Sequence, residues 1–222
     1  MTESRTAEQL VVSRQRVIEH GEVYTPKAIV NQMLDLVAQE AERIDSRFLE
    51  SACGTGNFLS EVLQRKLEVV KSRYSKSQLD YERYAILAIS SIYGIDILQD
   101  NVNICRKRLL DMFKELYQNL YKQHIKEDCI QSARFILKRN IEWGDALTLM
   151  TVGQKPRPIV FSEWSAVNGS MIKRRDFAFE RLLESGSMNE LPLFSDLGED
   201  ICIPRPLKEF PLVHFLKVAD AD

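Results

Sequence analysis

The chain has 222 residues, 45% of them hydrophobic and 28% charged, which is enough for one α/β domain with a sizeable core and a short extension. Two full domains are not expected at this length. Lysine and arginine number 30 against 32 aspartates and glutamates, so the formal charge is −2 and the overall charge gives no sign of nucleic-acid binding. Any contact with DNA would have to use a local basic patch.

Cysteine spacing and apolar patterning argue against several other classes of protein. The four cysteines lie far apart without a C-x-x-C pair and there are only three histidines, so neither a metal site nor a disulfide framework is predicted. The polar N-terminus has no signal-peptide core, and no apolar run approaches the roughly 18 residues that span a membrane. We therefore expect a reduced, cytoplasmic protein without membrane contact.

The first part of the chain is predicted to be a helical N-terminal segment, residues 1–46. Residues 7–19 have the pattern of a short helix, and a second helix is predicted over 26–43, with Thr25 as N-cap and Pro26 at its first position. Apolar residues recur at helical spacing in the second helix. They are Ile29, Val30, Met33, Leu34, Val37 and Ala41.

Residues 47–184 are predicted to form the main α/β domain. A strand, a glycine-bearing turn, helices and a second strand give a βαβ pattern, which is typical of a parallel sheet. Strands are predicted at 47–52, 92–97, 140–143 and 158–161, and helices at 58–70, 80–90, 100–124, 129–137 and 174–184. The extension 185–222 is predicted to be loop-rich, with four of the seven prolines between 185 and 211 and a last edge strand at 211–216.

Candidate binding residues follow from where the predicted strands end. Glu50, Asp96 and Asp145 each come at the end of a strand, and open α/β sheets bind ligands at that edge. The turn Cys53–Asn57 lets the backbone approach a ligand and leads into a helix N-terminus. A single acid in such a place is more often a helix cap or a solvated charge. The coincidence of three acids with the turn favours a nucleotide-like ligand.

Four short segments carry recognisable motifs. His20–Pro26 is similar to G-x-[FY]-[FY]-T-P, and Phe48–Leu59 is similar to the loop D/E-P-x-C-G-[ST]-G-x-F-L. Tyr93–Ile97 resembles G-[IV]-[DE]-[IL], and Asn140–Leu147 resembles G-D-x-[FL]. Over roughly residues 18–150 the chain thus resembles the adenine-N6 DNA methyltransferases of restriction-modification systems. The resemblance implies a Rossmann-like, S-adenosylmethionine-dependent methyltransferase fold.

The same resemblance implies a set of residues that bind S-adenosylmethionine. The methionine moiety would be contacted by Tyr24, Thr25 and Pro26. Its amino-acid end would be surrounded by Glu50, Ala52, Gly54 and Gly56. Asp96 would hold the ribose, Ile97 would flank the adenine, and Asp145 would bond the adenine amino group. The remaining members of the set are Asn57, Phe58 and Ala146.

The catalytic motif of that family, [DNS]-P-P-[YFW], is missing, because the chain has no Pro-Pro pair. In its place stand Ser162, Glu163 and Trp164, of which Ser162 and Trp164 would be degenerate equivalents. A core role is the more ordinary one for a single tryptophan. Catalytic residues are therefore left unassigned. The cluster 173–175 would either touch DNA phosphates or form a solvated helix face.

Three functions remain open at this point. The first is an adenine-specific DNA methyltransferase, or a subunit of one, that binds S-adenosylmethionine and needs another methyltransferase or specificity subunit to act on DNA. The second is a non-catalytic module that keeps the cofactor pocket and serves in assembly. The third is a methyltransferase for a non-DNA substrate with Glu163 or another nearby base, against which the Tyr24–Pro26 motif argues.

Overall fold

A computed structural model describes residues 25–184 and 205–220 as a mixed α/β fold. The helix predicted at 7–19, Tyr24 and most of the predicted loop 185–211 lie outside the described residues. The α-helices are α1 Lys27–Leu36, α2 Ala38–Ala41, α3 Asn57–Tyr74, α4 Gln78–Ser90, α5 Gln99–Tyr121, α6 Glu127–Asn140 and α7 Phe179–Glu184. The strands are β1 Phe48–Glu50, β2 Ile92–Asp96, β3 Ile141–Asp145, β4 Met150–Thr151, β5 Val160–Ala166, β6 Met171–Ala178, β7 Lys208–Glu209 and β8 Val213–His214.

The first sheet contains β1, β2 and β3 as parallel neighbours in chain order, with β4 antiparallel to β3. Helices α3 and α4 connect β1 to β2, and α5 and α6 connect β2 to β3. The predicted βαβ pattern and parallel sheet are confirmed. Because parallel strands end at the same edge, this topology brings together the turns that follow β1, β2 and β3.

Helices α3 to α6 bury their apolar faces together and against this sheet in the main core. Fully buried members include Leu63, Ala85, Ile89, Leu109, Phe113 and Ile136. Helix α4 begins at a side-chain cap, since Ser77 Oγ accepts a hydrogen bond from the Asp80 backbone N–H at 3.3 Å. The core fixes the helices and thereby the strand ends that they follow.

A buried amine ties the starts of β1 and β2 at the far edge of the sheet. Lys66 is fully buried on α3, and its Nζ donates to Ile44 O, Ser46 O and Ser91 Oγ. Burial in the core disfavours the charged form and lowers the pKa of Lys66 to about 7. The three acceptors satisfy all the donors of the amine and hold the two strand starts together.

The second sheet is antiparallel and differs from the prediction. The fourth strand is predicted at 158–161, whereas the structure has β5 at Val160–Ala166, paired with β6 in a separate sheet that also contains β7 and β8. Tyr93 and Ile95 on one face of β2 pack against Ile159, Phe161 and Phe179. The β5–β6 hairpin and α7 therefore cover that face of the parallel sheet.

The helix predicted at 174–184 is wrong over its first half, where the chain forms β6. Burial alternates with period two from Met171 to Asp176, so that Ile172, Arg174 and Asp176 are buried, and the strand then ends in two further buried residues. Two of these buried side chains are charged. The sequence therefore lacks the alternation of apolar and polar residues that predicts a half-buried strand. The predicted edge strand at 211–216 is reduced to β8, and a 3-10 helix follows at Phe215–Asp220.

Helix α1 also departs from the prediction. Pro26 is the N-cap, Lys27 is the first helical residue, and no side chain caps this end. The helix breaks at Val37, whose φ of −123° and ψ of 35° are not helical. Val30 and Leu34 face the core, whereas the other apolar stripe, Ile29, Met33 and Val37, is 45–49% exposed. This second apolar stripe of α1 therefore remains about half exposed.

Candidate functional site

A cavity of about 520 Å³ lies at the carboxyl ends of β1, β2 and β3 and is called here the strand-end cavity. Of the residues that the sequence analysis singled out, the structure places these in its wall: Thr25, Glu50, Ala52, Gly54, Asn57, Phe58, Asp96, Ile97, Asp145 and Ala146. Pro26 and Gly56 are not in the wall. The parallel sheet thus gathers all three strand-end acids around one space.

The wall also contains residues that the sequence analysis did not single out. They are Met33, Ser51, Cys53, Leu98, Asn101, Gly144 and Leu147. Most of these are chain neighbours of the predicted residues, so closeness in sequence was a usable signal. Met33 had no such signal. In the sequence it is one of several apolar residues at helical spacing, and only the structure shows which side of α1 faces the core.

The turn after β1 is shaped by two glycines with positive φ, 51° at Gly54 and 84° at Gly56. Gly56 is the left-handed N-cap of α3. A Cβ at this position would lie only 2.7 Å from Cys105 Sγ on α5. Gly56 therefore faces α5 rather than the cavity, and it allows α3 and α5 to approach each other closely behind the turn.

Asp96 joins two of the loops that form the strand-end cavity. One carboxylate oxygen accepts a hydrogen bond from Gly54 N–H at 2.8 Å, and the other accepts from Leu98 N–H at 2.9 Å and from Asn101 Nδ2 at 3.3 Å. The residue is only 8% exposed. Its carboxylate holds the turn after β1 against the loop after β2 through contacts within the chain itself.

Glu50 and Asp145 differ in their surroundings. Glu50 is half-buried in the cavity wall, and its carboxylate makes no hydrogen bond or ion pair with any residue in the ranges 25–184 and 205–220. Burial raises the pKa of its carboxyl. In contrast, the Leu147 backbone N–H donates to Asp145 at 2.9 Å and lowers the pKa of that carboxyl. Glu50 is thus the acid that gains most from a cationic ligand group.

The three residues at the position of the missing catalytic motif lie in β5, away from the cavity wall. Ser162 Oγ donates to Asp176 at 2.7 Å, and Trp164 Nε1 donates to Asn140 Oδ1 at 3.0 Å. Glu163 is ion-paired with two arginines. All three are at most 4% exposed. These contacts stabilise the fold, and the core interpretation of Trp164 agrees with its burial.

The basic cluster 173–175 is matched by acids within the second sheet. Lys173 pairs with Glu209 at 3.1 Å, and Arg174 pairs with Asp176 at 2.8 Å. Arg175 pairs with Glu163 at 2.7 Å. The cluster lies in a strand, so it does not form the predicted helix face, and each of its three cations has an acidic partner.

A match to a known family identifies the group of proteins to which this chain belongs. Residues 10–131, more than half of the chain, match the family model described as N-6 DNA Methylase. The chain belongs to the N-6 DNA methylase family. The matched segment contains Glu50, the turn after β1 and Asp96, and it ends before Asp145. No curated protein and no solved structure matches the chain.

Within the described part of this N-6 DNA methylase family member, no group of three or more His, Cys, Asp or Glu side chains is placed to hold a metal ion. Nor is any helix of residues 25–184 and 205–220 long and apolar enough to cross a membrane. The described wall of the strand-end cavity combines carboxylates with amide and apolar side chains.

We predict that Gly56→Ala destabilises the protein by about 2–4 kcal/mol, because it adds the strain of a positive φ to a clash with Cys105. Gly169→Ala is the matched control, since Gly169 also has a positive φ of 63° but no atom lies within 4 Å of an added Cβ. Urea unfolding of both variants separates the two causes. Equal losses in the two variants would show that contact between α3 and α5 does not constrain the turn.

Proposed function

We propose that this chain binds S-adenosylmethionine in the strand-end cavity of a Rossmann-like sheet and serves as the cofactor-binding part of an adenine-specific DNA methyltransferase. The observation that carries the proposal is the convergence of Asp96, Glu50 and the glycine turn on one cavity in a member of the N-6 DNA methylase family. The parallel order of β1, β2 and β3 supports the Rossmann-like assignment.

The size and lining of the cavity fit this cofactor. Small-molecule sites usually enclose about 300–1,000 Å³ and combine apolar walls with a few polar groups. The strand-end cavity has about 520 Å³ and apolar walls from Met33, Phe58, Ile97 and Leu147. Glu50 is half-buried, and its carboxylate has no hydrogen-bond or ion-pair partner among residues 25–184 and 205–220, so it is complementary to the ammonium group at the amino-acid end of the ligand.

Asp96 has the capacity to hold a ribose hydroxyl in addition to its present partners. A carboxylate accepts about four hydrogen bonds, and three donors from the described residues already reach it. These donors also fix its orientation, so that little conformational freedom is lost when a ligand binds. Asp145 accepts a hydrogen bond from Leu147 N–H and also interacts with the hydroxyl and backbone N–H of Thr148, and its remaining acceptor capacity would serve the adenine amino group.

When bound, S-adenosylmethionine supplies a methyl group that is activated by the neighbouring sulfonium. Transfer to an adenine amine also requires acceptors held in place as charge develops on the nitrogen. Ser162 and Glu163 are engaged elsewhere, and the chain has no Pro-Pro turn. We infer that a partner chain, or a further segment, supplies the catalytic turn and DNA recognition in a restriction-modification system.

We predict that the chain binds S-adenosylhomocysteine with a dissociation constant in the micromolar range, about −8 kcal/mol. Asp96→Asn should weaken binding by about 10- to 100-fold, because it removes the charge from the ribose acceptor. Asp111→Asn, at an exposed acid on α5, is the control and should bind like the wild type. Calorimetry that detects no binding to the wild type would reject the proposed function.

Binding should also weaken in acid. Ionised Glu50 attracts the ligand ammonium, and its raised pKa means that the carboxyl of the free protein takes up a proton at a higher pH than an exposed glutamate. The affinity should therefore be highest at pH values well above this pKa. At pH values below the pKa, the affinity should decrease by up to about tenfold per pH unit. In Glu50→Gln the affinity should be low and nearly independent of pH. Parallel pH profiles of wild type and variant would contradict this role.

The isolated chain should transfer no detectable methyl group to unmethylated DNA, because no described residue at the cavity provides the catalytic turn. The measurement is incorporation of labelled methyl, followed by identification of N6-methyladenine, with an intact adenine methylase as positive control. Activity that appears when the product of a neighbouring gene is added supports the split enzyme. Binding without transfer in every such mixture would favour the non-catalytic module, and robust activity of the chain alone would contradict the inferred need for a partner.

A further inference from the structure

The loop that follows Asp96 is held at two points. The Leu98 backbone N–H donates to the Asp96 carboxylate at 2.9 Å. One residue earlier, the Ile97 carbonyl oxygen accepts a hydrogen bond from Trp143 Nε1 at 3.0 Å. The side chain of Ile97 lies in the wall of the strand-end cavity and is 52% exposed. The Ile97 carbonyl and the Leu98 N–H belong to the same peptide group, so the two contacts together fix the peptide that follows the cavity-wall residue Ile97.

Trp143 itself is not part of the cavity wall. It is half-buried on β3, and its carbonyl oxygen accepts from Val152 N–H at 3.1 Å. A Cβ added to Gly153 would lie 3.6 Å from the indole ring, so the chain after β4 passes close over it. The indole is thus placed between that segment and the Ile97 carbonyl, and its hydrogen bond reaches the cavity wall at Ile97.

We propose that Trp143 is a positioning residue: by holding the Ile97 peptide it keeps the purine aligned with Asp145, the residue that the proposed function assigns to the purine amino group. The inference rests on the proposed function, since it assumes a nucleoside-containing ligand whose base lies along Ile97. Fixing the backbone of a residue costs conformational entropy. Because the indole N–H already restrains this peptide in the folded chain, the ligand does not have to order it on binding.

A packing role is the competing interpretation of Trp143, and the chain contains a suitable control for it. Its two tryptophans each donate one indole hydrogen bond of 3.0 Å, from Trp143 to Ile97 and from Trp164 to Asn140. Trp164 is 4% exposed in the core and is remote from the cavity wall. Phenylalanine at either position keeps an aromatic ring and removes the N–H donor.

The test measures thermal stability and the affinities for S-adenosylhomocysteine and its inosine analogue, which differs only in the purine. Trp143→Phe should bind S-adenosylhomocysteine about fivefold more weakly and discriminate less between the two ligands, with a small change in melting temperature. Trp164→Phe should lower the melting temperature and leave both affinities unchanged. Trp143→His retains a ring N–H donor and should recover part of the discrimination.

Unchanged affinity and discrimination in Trp143→Phe, with a wild type that binds, would overturn the positioning role and leave the proposed function intact. A fall in melting temperature as large as that of Trp164→Phe, without a change in discrimination, would likewise assign Trp143 to packing. A wild type that binds neither ligand would overturn both the proposed function and this inference.

Discussion

The carboxylate of Asp96 is the contact on which the organisation of the strand-end cavity depends. It links Gly54 of the turn after β1 to Leu98 of the loop after β2, and so fixes two walls of the cavity relative to each other. Parallel pairing of the strands brings these loops to one edge, but pairing alone leaves their peptide groups without partners. A buried and hydrogen-bonded acid supplies these partners while keeping acceptor capacity for a ligand.

Much of the structure of residues 25–145 could be predicted from local patterns. Apolar periodicity gave the helices between Asn57 and Asn140, and glycine and acid positions marked the turns at the ends of β1, β2 and β3. These signals are reliable because they reflect backbone requirements, such as the positive φ at Gly54 and Gly56. Glu50, Asp96 and Asp145 followed as site candidates because the sheet was recognised as parallel.

The remainder depends on contacts that no local pattern records. The strand β6 buries Arg174 and Asp176 as a pair, so its inward face is charged and resembles a polar helix surface in the sequence. Met33 and Leu34 are equally apolar, and only tertiary packing turns the first towards the cavity and the second into the core. Similarly, the partner that binds Trp143 Nε1 is a carbonyl oxygen 46 residues away along the chain.

The central claim is that the strand-end cavity holds the nucleoside and amino-acid parts of S-adenosylmethionine together. A crystal structure of the chain with S-adenosylhomocysteine tests this most directly. The account predicts a ribose hydroxyl within hydrogen-bond distance of Asp96, the ligand ammonium beside Glu50 and the purine along Ile97. Electron density for the ligand at any other place, or no ligand density in the cavity at a saturating ligand concentration, would contradict it.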